Sequence, residues 1–349
     1  MKKIEYKTKV PECLCGKWKN GLLFDIETTG FHREREKLYL IGAGYVKEEE
    51  FILLQWFCDD GKEEVILEDF LSFSESFTSL IHYNGLSFDL PFLEEKAKKY
   101  GLSSSLLEKE QVDLYREIRP YKNFLNLNDL KLPTVEQFFL MERKEQENGK
   151  SLIPIYKSYL NSPTKEKEEM LLQHNYFDII HLTALTQIVD LKYCLEDGFQ
   201  IVESQVTDKY LRIRIKFSYS FPKLVQGEKL EILYSFYAGQ GELNLPLYSG
   251  SLKYYYENYK DYYYLPHENM VIHKSVAAFV DVANKEKCTA KNCFVLKEGV
   301  FLKQYEPIFE PVFQLNYKEK ETYFPVDSFK DSKKQYEYIK SVLRVIVHL

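Results

Sequence analysis

The sequence predicts an α/β protein, in which a mixed sheet with helices on its faces is followed by a mostly β region. The chain has 349 residues, of which 45% are hydrophobic, and this length suits two domains. In its first half, short apolar runs of strand length alternate with segments of helical period. Around residue 198 the pattern changes to alternating apolar and polar residues, which is typical of half-buried strands. We therefore assign residues 1–197 to one domain and residues 198–349 to a β-rich accessory domain.

Residues 22–30 (LLFDIETTG) are predicted to be a strand buried on both faces, followed by a glycine turn. Side chains two residues apart on a strand point the same way, so Asp25 and Glu27 project together from one face. Two such carboxylates repel each other and are costly to desolvate, and a divalent metal with oxygen ligands is the ordinary remedy. The alternative is a chance acidic pair at a solvated strand end.

The other elements of the first half follow from period and turn residues. Residues 1–20 are polar and mixed, and we expect a loosely attached lead-in. Four further strands are predicted, over residues 38–46, 51–58, 80–84 and 112–115. Helical period predicts helices over residues 63–77, 91–100 and 125–195, the last with breaks near residues 149–154 and at Pro163. A mixed five-stranded sheet with flanking helices results.

In the second half, residues 210–219 (YLRIRIKFSY) alternate strictly and predict a half-buried strand. Further strands are predicted over residues 230–237 and 243–248, with glycine turns between them. The remaining predictions are a helix over residues 272–282, a hairpin over residues 293–302 turning at Glu298 and Gly299, and a closing helix over residues 332–348.

Composition and charge exclude several classes of protein. No window approaches the roughly 18–20 apolar residues that a membrane helix needs, and the N-terminal residues do not resemble a signal peptide, so we expect a cytoplasmic protein. Six scattered cysteines predict free thiols, with a split zinc site as the alternative. The net charge of −6 argues against a general polyanion-coating protein, although residues 1–196 carry −8 and the rest carries +2.

Two more acidic segments stand out. In residues 82–93 (HYNGLSFDLPFL), a predicted strand ends at Asn84 and Asp89 stands just before Pro91, where helix capping is the simple interpretation. In residues 173–182 (QHNYFDIIHL), His174 and Asp178 are four apart and share one helix face. Taken alone, the second pair is explained as a polar surface pair.

Together, the three segments resemble the DEDD exonuclease superfamily of the ribonuclease H-like fold, and especially its YprB-type branch, whose segments read much like DIETTG, YNGxxFDxPxL and N-x-x-D. The resemblance covers residues 22–195, including residues 130–142 as a link into the last helices. One departure is that common histidine-type members place the histidine five residues before the last Asp, whereas here the gap is four, as in tyrosine-type members. The resemblance implies a ribonuclease H-like sheet with four catalytic, metal-binding carboxylates and a base, namely Asp25, Glu27, Asp89, Asp178 and His174.

The implied reaction is metal-dependent 3′→5′ exonucleolytic hydrolysis of phosphodiester bonds, with single-stranded DNA ends favoured as substrate. Two Mg²⁺ or Mn²⁺ ions about 3.5–4 Å apart would activate the water and neutralise the leaving oxygen, while a neutral histidine can take the proton. DNA and RNA are not distinguished by metal and phosphate contacts. The alternatives are a non-catalytic nucleic-acid-binding or scaffold protein on the same fold and a structure-selective endonuclease.

Four residues are candidates for substrate binding. Asn84 has a loop position suited to the terminal nucleotide, to orienting Asp89 or simply to shaping the turn, and Thr28 ends the first strand. Tyr255 and Tyr263 belong to residues 253–265 (KYYYENYKDYYYL), whose seven tyrosines interleaved with lysine are typical of a platform for single strands. The alternative is that these tyrosines pack under a sheet with their hydroxyls exposed to water.

Overall fold

The computed structural model describes residues 1–15, 17–18, 20–141 and 149–348. The chain divides into two units, Met1–Lys192 and Tyr193–Leu349. The predicted boundary at residues 197 and 198 lies close to this division, and the assignment of the two parts to separate domains stays a prediction.

A six-stranded mixed sheet forms the centre of the first unit. Its strands are β1 (Lys2–Lys9), β2 (Gly21–Thr28), β3 (Leu38–Lys47), β4 (Glu50–Phe57), β5 (Ser79–His82) and β6 (Glu110–Asp113). Their order is β1-β4-β3-β2-β5-β6. The pairs β1–β4, β4–β3 and β3–β2 are antiparallel, whereas the pairs β2–β5 and β5–β6 are parallel. Strand β2 is therefore central, and its apolar side chains are buried as predicted.

Strand β1 corrects two expectations, because the sheet has six strands rather than five and residues 2–9, expected to be part of a loose lead-in, form a strand of it. Lys2 pairs with Phe57 and Lys9 with Glu50 along the whole length of β4. The strand is polar and mostly exposed, with only Ile4 and Tyr6 half-buried. Lysines on an edge strand discourage pairing with a further strand, but they also leave no apolar pattern for a sequence-based prediction.

Seven helices of the first unit are described: α1 (Glu63–Ser74), α2 (Asp89–Tyr100), α3 (Leu114–Ile118), α4 (Leu132–Phe138), α5 (Gly149–Asn161), α6 (Lys165–Leu185) and α7 (Gln187–Glu196). The predicted break at Pro163 is confirmed, whereas Pro154 lies inside α5. Tyr115, predicted to end the fifth strand, belongs to α3. Glu142, the last residue of the linking segment, lies outside the described residues. No helix in the described ranges is long and apolar enough to cross a membrane.

A buried ion pair fixes α2 against α1 and β3. Lys96 Nζ lies 3.0 Å from Glu63 Oε1, and their side chains are only 1% and 3% exposed. Glu63 also accepts hydrogen bonds from the Leu38 amide and the Tyr100 hydroxyl, each at 2.7 Å. Burial raises the pKa of Glu63, but these bonds and Lys96 outweigh it, so its pKa is lowered. The network fixes the helix that begins at Asp89.

The second unit is mostly antiparallel β. Its strands are β7 (Phe199–Val206), β8 (Tyr210–Lys229), β9 (Ile232–Tyr255), β10 (Tyr262–Leu265), β11 (Met270–His273), β12 (Glu286–Lys287), β13 (Phe294–Gln304) and β14 (Thr322–Pro325), and its helices are α8 (Lys274–Ala277) and α9 (Ser332–His348). They form a five-stranded sheet, β14-β13-β9-β8-β7, and a three-stranded sheet, β11-β10-β12. The alternation over residues 210–219 and the closing helix are confirmed.

Three predictions for the second unit are wrong. The two strands over residues 230–248 are one long strand, β9, in which Gly241 permits close packing because a Cβ there would lie 2.6 Å from the Phe217 ring. The hairpin at Glu298 and Gly299 is the continuous strand β13, and Gly299 pairs with Gly250 of β9. The helix over residues 272–282 is reduced to α8. Both glycines therefore lie inside strands, and close packing accounts for the one at residue 241.

Candidate active site

Strand β2 carries the first two acids at its C-terminal end. Glu27 is 8% exposed and Asp25 is half-buried, while Phe24 and Ile26 between and beside them are buried on the other face. Asp25 and Glu27 therefore share a face, as the spacing predicted. The hydroxyl of Tyr39, on β3, donates to Glu27 Oε2 at 3.3 Å.

The third acid approaches the same strand from α2. Asp89 is the first residue of this helix, and Phe88 occupies the N-cap position without a capping hydrogen bond from its side chain. Instead of capping, Asp89 Oδ1 accepts a hydrogen bond from the backbone amide of Ile26 at 3.3 Å. Asp89 is 7% exposed, so its carboxylate lies beside the segment that carries Asp25 and Glu27.

Helix α6 supplies the histidine and the fourth acid. His174 Nε2 lies 3.4 Å from Glu27 Oε1 and 3.4 Å from Asp178 Oδ2. One ligand atom from each of these three residues lies within 4.8 Å of the other two, as metal ligands require. His174 and Asp178 are 6% and 9% exposed, so they are not the polar surface pair of the simple interpretation.

Three of the four acids have raised pKa values. The pKa of Asp25 is raised well above its usual value, first by burial and then by the charges of Asp178, Asp89 and Glu27. The pKa of Glu27 is raised to about 7, chiefly by burial. The charge of His174 lowers it, and the charges of neighbouring acids raise it. Burial also raises the pKa of Asp89 to about 7, despite the hydrogen bond from Ile26. Carboxylates that destabilise one another in this way suit a divalent cation with hard oxygen ligands.

Two residues to which the sequence analysis assigned no role support this cluster. Asn175, fully buried on α6, donates from Nδ2 to Asp25 Oδ2 at 3.2 Å and to the Asp25 carbonyl at 3.4 Å. Tyr39, already described as the donor to Glu27, stacks on Tyr156 of α5 at 4.4 Å between ring centroids. Asn175 could have been found from the sequence, because it lies between His174 and Asp178 in the N-x-x-D segment. Tyr39 lies in an apolar run that contains no such motif.

Asn84 and Thr28 flank the acids but are engaged locally. Asn84 has a positive φ of 63°. Its backbone N–H donates to Asp113 Oδ1 at 2.8 Å, and the backbone N–H of Leu86 donates to Asp113 Oδ2 at 3.4 Å. Asn tolerates this left-handed conformation better than most residues, which agrees with the turn-shaping alternative. The Thr28 hydroxyl donates to the Gly30 carbonyl at 2.9 Å.

An exposed aromatic ring lies beside these turns. Phe31, immediately after Gly30, is 70% exposed and contacts Phe88 edge-on at 5.8 Å between ring centroids. Lys150 Nζ of α5 lies 5.8 Å from the Phe31 ring. Arg33 donates to the Ser87 carbonyl at 3.0 Å and joins the two turns.

Tyr255 and Tyr263 lie in the second unit, where both are half-buried. The Tyr255 ring contacts Phe294 and Tyr317, with centroids 5.5 Å and 5.3 Å away. Lys285 Nζ lies 5.5 Å from the centroid of the Tyr263 ring. These contacts agree with the packing alternative and leave part of each ring accessible. All six cysteines are free thiols, and the described residues hold no cysteine group with the geometry of a metal site.

A comparison with family models agrees with this fold. Residues 22–189 match the sequence model of the RNase_H superfamily. The chain is similar to the family B DNA polymerase from the hyperthermophilic archaeon Pyrobaculum calidifontis, with 16% sequence identity and a TM-score of 0.40 over 67% of this chain and 33% of that chain. The chain thus spans about a third of the length of that polymerase, and no curated protein matches it. The family match confirms the predicted ribonuclease H-like fold, with six strands in the sheet instead of five.

Proposed function

We propose that the RNase H-like domain matched over residues 22–189 is a DEDD-type nuclease, which removes nucleotides from the 3′ ends of single-stranded nucleic acid, DNA in particular. One observation carries the proposal. Four acids and a histidine converge from β2, α2 and α6. Burial raises the pKa of Asp25, Glu27 and Asp89, and repulsion from the other acids of the cluster adds to the shift at Asp25 and Glu27. Such a cluster is costly in a resting protein, and a bound cation would offset the cost.

Asp25, Glu27, Asp89 and Asp178 would hold two Mg²⁺ or Mn²⁺ ions. When bound, these ions would neutralise charge on the phosphate and lower the pKa of a water molecule. The donor set fits them, because carboxylate oxygens of Glu27 and Asp178 lie close enough to share one cation, and Asp25 and Asp89 lie beside this group without being part of it.

His174 is the proposed general base. Its Nε2 lies between Glu27 and Asp178, and a neutral imidazole there can accept a proton from the attacking water. The water oxygen then bonds to phosphorus, the bond from phosphorus to the 3′ oxygen of the preceding nucleotide breaks, and that oxygen takes a proton from solvent. The products are a nucleoside 5′-monophosphate and a strand shortened by one nucleotide.

The turns next to the acids are the proposed binding site for the terminal nucleotide. Phe31 offers an exposed ring on which a base can stack, a contact worth about 1–3 kcal/mol. Asn84 and Thr28 are proposed to contact the sugar or phosphate from their turns. In the second unit, Tyr255 and Tyr263 are proposed to stack on bases of single-stranded nucleic acid.

Two alternatives remain open to direct test, a structure-selective endonuclease and a binding protein without turnover. Incubation of linear and circular single strands, each as DNA and as RNA, with Mg²⁺ or Mn²⁺ separates them. An exonuclease degrades only linear strands, an endonuclease also opens circles, and a binding protein retards both without cleaving either. Cleavage of circular strands at the linear rate would reject the exonuclease proposal.

A further inference from the structure

Three residues form a row across the centre of the sheet. Asp25 of β2 pairs directly with Gly42 of β3, and Gly42 pairs directly with Gln55 of β4. Directly opposed residues in neighbouring strands point to the same face of a sheet. The side chain of Asn175 on α6 reaches all three residues, so the row lies beneath this helix.

Asn175 of α6 spans the row. Its Nδ2 donates to Asp25 Oδ2 at 3.2 Å, and its Oδ1 accepts from Gln55 Nε2 at 3.0 Å. Asn175 and Gln55 are both fully buried. A hydrogen bond between buried groups is costly to break without replacement, so this bridge constrains the Asp25 carboxylate from the side of the protein interior.

Gly42 supplies the space for the bridge. A Cβ at this position would lie 2.1 Å from Asn175 Oδ1 and 2.7 Å from Asn175 Cγ. Any side chain at residue 42 would therefore displace the amide. The strand interior is otherwise an unfavourable place for glycine, and close approach of the Asn175 amide explains why it is tolerated here.

Gln55 sets the direction of the Asn175 amide. Gln55 Nε2 donates both to the Leu172 carbonyl, at 2.8 Å, and to Asn175 Oδ1. An amide nitrogen donates and an amide oxygen accepts. Because Gln55 offers its nitrogen as the donor, the oxygen of Asn175 accepts this hydrogen bond. The Nδ2 group of Asn175 then faces Asp25 as a donor.

We propose that Asn175 and Gln55 are positioning residues, which hold one oxygen of the Asp25 carboxylate and so set its orientation for a divalent cation. The inference rests on the proposed metal-dependent function, because Asp25 is there a metal ligand. Outer residues that orient metal ligands typically change metal affinity by about 10–100-fold when removed. Neither residue is assigned contact with the substrate.

The first test measures Mn²⁺ affinity of the full chain by titration calorimetry at one pH. Asn175→Leu removes the donor at similar volume and should weaken Mn²⁺ binding about 10–100-fold. In the Asp25→Ala variant, the same substitution should change the affinity by less than about twofold. The reason is that Asn175 acts through the Asp25 carboxylate, so the effects of the two substitutions should not add. Thr183→Val, which removes a buried hydroxyl bonded to the Ile180 carbonyl on the same helix, is the matched control and should leave Mn²⁺ affinity unchanged.

A second cycle separates positioning from stability. Gly42→Ala should lower both the melting temperature and the Mn²⁺ affinity. Adding Asn175→Ala removes the clash, so the double variant should recover the melting temperature of Asn175→Ala but not the affinity of the wild type. If Asn175→Leu does not fold, Gln55→Leu takes its place, with a smaller expected loss of affinity.

The outcomes distinguish a failure of the positioning role from a failure of the proposed metal-dependent function. Wild-type Mn²⁺ affinity in Asn175→Leu or Gly42→Ala, together with a large loss in Asp25→Ala, would overturn the positioning role and leave the proposed function intact. If Asp25→Ala binds Mn²⁺ as tightly as the wild type, Asp25 is not a metal ligand, and the proposed function fails together with the inference.

Discussion

His174 Nε2 of α6 lies 3.4 Å from Glu27 Oε1 of β2, although the two residues are separated by most of the first unit. The contact joins the central strand to the longest described helix of this unit. It places an imidazole among acids, where the imidazole can accept a proton or itself approach a cation. The two roles predict different effects of His174 substitutions on the hydrolysis rate and on Mn²⁺ affinity.

If His174 is the base, His174→Ala should lower the hydrolysis rate about 10²–10⁴-fold with Mn²⁺ affinity nearly unchanged. At saturating metal, the decline of the wild-type rate at acid pH should disappear in this variant. His174→Tyr should keep considerable activity, also without the acid decline, if a tyrosine in the same place can orient water. The exposed His267→Ala serves as the control.

An unaltered acid decline in His174→Ala would show that the histidine is not the base. A loss of Mn²⁺ affinity comparable with that of Asp25→Ala would instead make His174 a metal ligand. Both are measured by pH–rate profiles and calorimetry on the same preparations.

The stability of the metal-free protein should depend on pH through Glu27, whose pKa is raised to about 7 from the usual 4.5. A carboxyl group with a raised folded-state pKa binds protons more tightly when folded, so stability falls as pH rises from about 4.5 to about 7. The expected loss from this group is about 1–3 kcal/mol. Glu27→Gln should therefore melt higher than the wild type at pH 8 without metal, and the difference should shrink at pH 5.

Thermal denaturation between pH 5 and pH 8 in a chelator measures this effect. Glu169→Gln, on the exposed side of α6 and paired with Lys165, is the control and should follow the wild-type curve. A Glu27→Gln curve parallel to that of the wild type would contradict the raised pKa.

Phe31 should contribute to substrate binding by stacking. Phe31→Ala should raise KM for short single strands by about 5–150-fold, the equivalent of about 1–3 kcal/mol. Phe31→Trp should preserve binding. The control is Phe279→Ala in the second unit, which removes an even more exposed ring, 92% accessible, to which no role in binding is assigned. Equal KM values for Phe31→Ala and the wild type would reject the stacking role.

The tyrosine segment of the second unit should affect long substrates selectively. Tyr255→Ala combined with Tyr263→Ala is expected to weaken single-strand binding, while hydrolysis at high enzyme concentration survives. Fluorescence anisotropy with short and long strands measures this. Unchanged affinity with a lower melting temperature would assign both rings to packing against residues such as Phe294 and Tyr317.

The sequence pattern predicted the acids of the site because they occupy positions with strong periodic constraints. Asp25 and Glu27 alternate with buried residues on β2, and His174 and Asp178 are one helical turn apart on α6. Such local periods place side chains on the same face without knowledge of the rest of the fold. The convergence of Asp89 with them came from the family resemblance, since no local rule relates α2 to β2.

The supporting residues were missed because their roles depend on tertiary contacts. Asn175 and Gln55 act across three strands and a helix, and Gly42 has the ordinary appearance of a glycine in an apolar run. Strand β1 escaped prediction because an edge strand needs few apolar side chains. Gly299 and Gly241 suggested turns, although both lie within long strands that no short sequence window contains.

The direction of degradation tests the central claim most directly. A linear single strand of DNA, labelled in one sample at its 5′ end and in another at its 3′ end, is incubated with wild type and Asp25→Ala in Mn²⁺. The wild type should convert the 5′ label into a ladder that shortens one nucleotide at a time, and should release the 3′ label at once as a nucleoside 5′-monophosphate. Asp25→Ala, and the wild type in a chelator, should leave both intact. A ladder from the 3′-labelled strand, or equal degradation by Asp25→Ala, would contradict the assignment of this cluster to a metal-dependent 3′→5′ exonuclease.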